Sequence, residues 1–314
     1  MSIPQPPFQR WTTAAMEDRI VRYGELRPCY NAFIDTRSPG SEAKENFTII
    51  GPGVSENPEQ YVHIAEPHGF NIGGARQPPG CVNSQHSHDT AEVFVVHSGQ
   101  WRFDLGQHGD DAQVLIGPGD VISIPTKTFR GFTNVGTGND FLFAVLGQDN
   151  PGRVLWAPDV FDMAQQHGLV LLETGRLIDT VAGQQVPAGA KPMPTTSPAQ
   201  IDALKRVSQQ DADGFVWRDQ NCPGTQTTAI IGDPGPLDWP HGFELERIDI
   251  AADDVLEPPP PALAEVVFVH RGALAVRWPD GEVMLSAGDT MTVPAGLMRS
   301  FASTAGCTAY VVRR

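Results

Sequence analysis

Runs of four to eight residues, rich in β-branched and aromatic side chains and closed by Gly, Pro, Asn or Asp, recur along the chain in two blocks. Alternation of apolar and polar positions with a period of two is the mark of a strand with one buried face. The first block predicts strands over Phe47–Ile50, Gln60–Ile64, Ala91–His97, Gln100–Leu105, Gln113–Ile116, Val121–Ile124, Phe129–Asn134 and Phe141–Leu146. The second predicts them over Gly214–Arg218, Thr227–Ile231, Phe243–Ile250, Glu265–His270, Ala273–Trp278, Glu282–Leu285, Thr290–Val293, Ser300–Ala302 and Thr308–Val312. Between the blocks, Ala157-Pro158-Asp159 opens a helix running through Gln166 and stopped by Gly168. Ser197-Pro198 then offers an N-cap and a first-turn proline for a helix over Ala199–Gln209. The Gly/Pro/Thr-rich run Ala182–Thr196 reads as the connection between these helices, and a short helix is expected near Ala14–Arg22.

The blocks repeat each other. Ala91–Gly99 and Ala264–Gly272 agree at six of nine positions, an offset of 173 residues. Gly119-Asp120-(x4)-Pro125-(x4)-Arg130-x-Phe132 aligns with Gly288-Asp289-(x4)-Pro294-(x4)-Arg299-x-Phe301 at an offset of 169. Self-similarity on this length scale indicates two copies of one β-domain rather than a solenoid, whose periods are shorter. The expected organisation is an N-terminal arm (1–45), a first barrel (46–150), a helical linker (151–211) and a second barrel (212–314).

Composition narrows the function. Glycine (32) and proline (28) are abundant in the 314 residues, charged residues make up only 19% and hydrophobic ones 40%, which suits a β-rich protein with many tight turns and a large core. A net charge of −15 repels nucleic-acid backbones and anionic lipid surfaces, so neither is an expected partner. No stretch reaches the ~18 consecutive apolar residues of a membrane span. Met1–Pro7 lacks the basic-then-apolar pattern of a secretory signal. The four cysteines, Cys29, Cys81, Cys222 and Cys307, are widely spaced without a C-x-x-C pair, so free thiols in a reducing cytoplasm are expected.

Chemistry is concentrated in Gly80-(x5)-His86-x-His88-(x3)-Glu92-(x6)-Gly99. On a strand, side chains at i and i+2 share a face, so His86 and His88 aim at one point. Glu92, at even spacing, follows on that face after a bend at Asp89–Thr90. Two imidazoles and a carboxylate converging inside a barrel make a site for one divalent transition metal. With open positions remaining, Fe(II) is favoured over Mn(II), Ni(II), Zn(II) or Cu(II). A surface strand with solvated histidines would carry the same residues, but their placement between two glycines favours the metal reading.

This spacing resembles the first motif of the cupin superfamily, G-(x5)-H-x-H-(x3,4)-E-(x6)-G, at every fixed position. Gly119-(x5)-Pro125-x-Lys127-(x2)-Arg130-(x3)-Asn134 resembles the second motif only in part. The resemblance implies an all-β bicupin, two jelly-roll barrels with a few connecting helices, and among cupins it points to metal-dependent dioxygenases. Lys127 stands where the motif has glycine, and Arg130 where it has the histidine that completes the metal site. A guanidinium cannot ligate a metal. It would oppose one by roughly 3 kcal/mol per unit charge at about 6 Å with an effective ε of about 20. Arg130 therefore either holds an anionic group of the substrate as a catalytic residue beside a His86/His88/Glu92 site, or pairs internally with Glu92.

In the second block Glu265 and Arg299 keep their places while Pro259 and Pro261 replace the two histidines, so that barrel is expected to hold no metal. Phe94, Phe103 and Phe132 fall in register with the metal-facing positions and are candidates for lining a substrate pocket; His97 and His270, at odd spacing, face away. The expected function is that of a cytoplasmic, dimeric oxidoreductase acting as a dioxygenase on a small organic substrate, aromatic or carboxylate-bearing. A lyase or isomerase without dioxygen and a non-catalytic small-molecule binder are the alternatives.

Overall fold

The computed structural model describes residues 10–314; the first nine residues of the expected arm lie outside it. The chain divides into two compact units. Among the described residues, one comprises 26–223, 229–245 and 314; the other comprises 10–25, 224–228 and 246–313.

The first unit contains two sheets around a common core. The seven-stranded sheet runs in the order Val216–Trp217, Val121–Ile124, Glu92–Val96, Asp140–Gly147, Phe70–Gln77, Glu45–Ile50, Val62–Ile64. The five-stranded sheet runs Val154–Trp156, Val82–His88, Arg130–Asn134, Trp101–Leu105, Ala112–Ile116. Burial alternates strictly along Trp101–Leu105 and Ala112–Ile116. Trp101, Phe103, Leu105, Val114 and Ile116 thus pack against Phe94, Ile122 and Leu142 of the other sheet. Each such side chain contributes roughly 1.5–3 kcal/mol when removed from water.

Several elements of this unit differ from expectation, among them a hairpin of Leu169–Leu171 and Leu177–Asp179 inside the expected helical linker. Phe70–Gln77 is a central strand whose pattern was masked by Gly73-Gly74 in its middle. The strand Val154–Trp156, inside the expected linker, pairs with Val82–His88 and so belongs to the barrel. The helix expected over Ala199–Gln209 is two short helices, Pro198–Asp202 and Gln209–Asp213. Ser208 supplies a second N-cap, reciprocated by Asp211, and the Lys205 amide donates instead to the Lys127 carbonyl (2.7 Å). Gln209 in turn blunts the exposed edge of Ala112–Ile116: its Oε1 accepts the Gln113 amide (3.0 Å) and its Nε2 donates to the Gln113 carbonyl (2.9 Å). The Pro158–Gln166 helix forms as its proline and Gly168 (φ +76°) suggest.

In the second unit Glu265–His270 and Ala273–Trp278 run together as one strand, Glu265–Trp278, with an irregularity near Val269–Arg271. Its core gathers Val267, Val269, Leu274, Val276, Met291, Phe301 and Val311. The short helix near the N-terminus spans Thr13–Glu17 and is followed by Ile20–Val21, which pairs with Thr290–Val293. Residues 10–25 thus belong with the C-terminal barrel and Val216–Trp217 with the N-terminal one, so the boundaries at 45 and 211 do not separate the units. All four cysteines are free, and no helix among the described residues is long and apolar enough to cross a membrane.

Candidate metal centre

The bend at Asp89–Thr90 carries the chain from one sheet to the other. His86 and His88 end the Val82–His88 strand, and Glu92 opens Glu92–Val96 in the opposing sheet. One ligand atom from each of the three lies within 4.8 Å of the others, and all three residues are buried. His86 stands directly across from Arg130 on one neighbouring strand and from Trp156 on the other.

The protonation states suit cation binding. His86 Nδ1–H donates to the Ser84 carbonyl (2.7 Å), which leaves the Nε2 lone pair free to ligate. His88 has no such anchor: Nδ1 is buried without a partner, and Nε2 is 3.4 Å from Glu92 Oε1, longer than a normal hydrogen bond. Two donors ~2.1 Å from a shared ion and ~110° apart would lie ~3.4 Å from each other. The 3.4 Å separation of His88 Nε2 from Glu92 Oε1 is therefore that of two donors sharing one ion, while His88 Nδ1 lacks the outer hydrogen bond that anchors His86. Burial, reinforced by the charge of Arg130, holds both imidazoles below the usual histidine range, so no proton competes for them near neutrality. Burial alone would raise Glu92, but Arg130 and His88 outweigh it and hold the carboxyl ionised.

Of the two roles open to Arg130, the geometry selects the internal pair. Its Nη2 and Nε reach Glu92 Oε2 at 2.5 and 3.1 Å, and Nη1 donates to the His86 and Thr128 carbonyls at 3.4 and 3.3 Å. It is 1% exposed and does not line the cavity at the triad. Its donors are therefore engaged inside the protein, as the internal-pair alternative anticipates. By occupying Oε2 it leaves Oε1 turned to the imidazoles.

The triad opens on a cavity of about 70 Å³. At roughly 10–15 Å³ per water on this measure, it admits several waters or a small organic molecule. Phe33, Phe47, Phe94, Phe132, Leu146 and Trp156 form apolar walls. Phe94 and Phe132 are where the register placed them. Phe103 is not on the wall; it packs behind both at ring-centroid distances of 5.3 Å. No Lys or Arg is among the residues lining the cavity, so a substrate carboxylate finds no cationic side chain there.

Trp156 and Asn46 are cavity residues that the sequence pattern does not reveal. The Trp156 ring lies 5.2 Å from that of His86, and Asn46 Nδ2 is buried without a partner. Gly73-Gly74 was the available signal, since glycines inside a strand mark a close approach.

Glu56 anchors the outer edge of Trp156. Its carboxyl accepts the Trp156 indole N–H and the Ile34 amide, both at 2.7 Å, yet burial pushes its pKa up to about 8. The folded state thus keeps a proton that the unfolded chain releases near 4.5. The associated stability is fully present below that pH and is lost as pH rises toward 8, by up to about 1.4 kcal/mol per unit. Urea midpoints should fall across this window, and Glu56→Gln should flatten the dependence.

With the geometry in view, comparison with known proteins is informative. Residues 75–146 match the family described as cupin domain, a span that contains the whole triad and Arg130. Solved structures of two-barrel cupins align with nearly the full chain. Residues 75–146 are a cupin domain, and the chain as a whole has the bicupin fold. The bicupin superposes on a vicilin from Solanum melongena with a TM-score of 0.57, at 13% identity over 94% of this chain and 83% of that one. It superposes on an oxalate decarboxylase from Bacillus subtilis with a TM-score of 0.58, at 10% identity over 100% and 84%. For a salicylate 1,2-dioxygenase from Pseudoaminobacter salicylatoxidans, in adducts with gentisate, the values are 0.50 and 15% over 82% and 71%. At these identities the likeness defines the fold and no more; a decarboxylase, a dioxygenase and a vicilin share it. No curated protein matches the bicupin in sequence.

Proposed function

We propose that the N-terminal barrel is a single-metal catalytic centre and that the protein is a dioxygenase of a small organic substrate, with Fe(II) as the favoured metal. The observation that carries this is the convergence of three buried ligand atoms within 4.8 Å of one another, with His88 Nε2 facing Glu92 Oε1, beside a tautomer-locked His86 and an ionised Glu92. His86, His88 and Glu92 would hold the metal, which when bound supplies open coordination positions for substrate and dioxygen and the electrons exchanged between them. The chain's own residues set the surroundings. Arg130 fixes the carboxylate, Trp156 covers His86, and the phenylalanines exclude water and favour a flat apolar body over a charged one. The absence of a lining cation moves the reading away from a carboxylate held by a side chain, so an aromatic substrate with oxygen donors is preferred.

One observation favours the non-catalytic alternative. In the C-terminal barrel Arg299 pairs with Glu265 (2.5 Å) and donates to the Pro259 carbonyl, with prolines in place of the histidines. Glu265 Oε2 is held in turn by Arg313 (3.0 Å), so both oxygens of this carboxylate are satisfied by arginines within the protein. Elemental analysis of protein purified without a histidine tag separates the readings: about one transition metal per chain, lost in His86→Ala, is expected. Oxygen-electrode traces with neutral phenols and with phenolic acids then test the reaction. Equal ligand binding by metal-stripped protein, with no oxygen uptake, would support the binder instead.

A further inference from the structure

The internal repeat is longer than its barrels. Residues 12–23 and 208–219 share little sequence beyond Arg22 and Arg218, but they make the same set of contacts at a constant offset of 196 residues. Thr12 and Ser208 each cap a five-residue helix, accepting the amides of Ala15 and Asp211 at 3.2 Å. Met16 and Ala212 are the buried residues of those helices. Ile20–Val21 pairs with Met291 and Thr290; Val216–Trp217 pairs with Ile122 and Val121, their counterparts at the barrel offset of 169.

The polar contacts coincide as well. Arg22 Nη1 donates to the Met284 carbonyl (2.6 Å) and to Asp289 Oδ2 (2.9 Å), and the Tyr23 amide donates to Asp289 Oδ1 (2.9 Å). Arg218 Nη1 donates to the Leu115 carbonyl (2.6 Å) and to Asp120 Oδ2 (2.9 Å), and the Asp219 amide donates to Asp120 Oδ1 (2.9 Å). The Arg19 carbonyl accepts the Thr292 amide, and the Phe215 carbonyl accepts the Ser123 amide.

We infer that the true repeat is a leader plus a barrel, and that each barrel carries a docking groove occupied by the leader of the other repeat. Leader 10–25 precedes the N-terminal barrel in sequence but docks on the C-terminal one. Leader 208–221 precedes the C-terminal barrel and docks on the N-terminal one. The groove recognises a helix cap, a two-residue β-addition and an arginine that reaches a strand-edge carbonyl and a buried-edge aspartate together. The exchange bears on the metal barrel directly. Val216 pairs with Ile122 on the strand where Ile124 lies across from Glu92, so the second repeat's leader extends the sheet holding a candidate ligand.

Hydrogen exchange on the full-length protein tests this without any metal or substrate. Arg22→Gln should speed amide exchange in residues 281–293 by roughly tenfold or more and leave 112–124 unchanged; Arg218→Gln should do the reverse. The milder Thr12→Ala and Ser208→Ala should show the same crossed pattern should either arginine variant fail to fold. Acceleration in the barrel that follows each leader in sequence, or in both barrels alike, would overturn the exchange. The pattern should also persist over roughly a hundredfold dilution, and a dilution-sensitive pattern would place the leader of a second copy in the groove and overturn the assignment to the same chain.

Discussion

Replacing Glu92 with alanine should destabilise the N-terminal barrel by about 3–5 kcal/mol, because it leaves the Arg130 guanidinium buried without a counter-charge. Arg130 is 1% exposed, and its remaining partners are two backbone carbonyls at long distance, too weak to replace a carboxylate. Urea unfolding followed by tryptophan fluorescence measures the loss. The double variant Glu92→Leu with Arg130→Met should recover most of it, since removing both charges also removes the desolvation they incur. Neither variant should retain metal. A Glu92→Ala protein as stable as wild type would mean that the pair is not an internal strut.

Arg130→Met should separate the two roles of that pair. Without metal, Glu92 is left as a lone buried carboxylate, and a loss of about 3–5 kcal/mol is again expected. With metal, the ion replaces the lost positive charge. Removing the guanidinium also relieves a repulsion of roughly 3 kcal/mol per unit charge at about 6 Å and an effective ε of about 20. Against this stands the loss of a charge-assisted hydrogen bond worth about 1.5–3 kcal/mol in orienting Glu92. A divalent ion feels the repulsion twice, so the balance favours tighter binding. Metal titration should restore the thermal midpoint of Arg130→Met and give a Kd lower than that of wild type by roughly tenfold or more. Weaker binding would show that holding Glu92 in place matters more than the field it sits in.

The sequence carried the barrels and the triad because both rest on local pattern. Alternation along Trp101–Leu105 and Ala112–Ile116 is a direct image of one buried face, and the His86–His88 spacing is set by that same period, whereas Glu92 reaches them from the opposing sheet across the bend at Asp89–Thr90. What stayed hidden depends on long-range pairing. Trp156 reads as the approach to a helix until its strand is seen beside His86. Phe103 shares the parity of Phe94 and Phe132, but parity assigns a face and not a depth, and it lies in a second layer. Arg130 could be placed beside Glu92 from the motif, yet only the distances show which of its donors are already taken. The leaders were invisible because what repeats between them is backbone pairing and a single arginine rather than a string of similar residues.

That arginine also speaks to how such a chain could arise. Two single-barrel polypeptides that trade their opening segments form a closed pair in which neither is whole alone. Joining them end to end would preserve every contact while making the association unconditional. After such a fusion one half can surrender its histidines for prolines, as at Pro259 and Pro261, and still be retained. It supplies the strip of backbone that finishes its sister's sheet. A gene cut between the halves would therefore yield two products that each lack a piece held by the other.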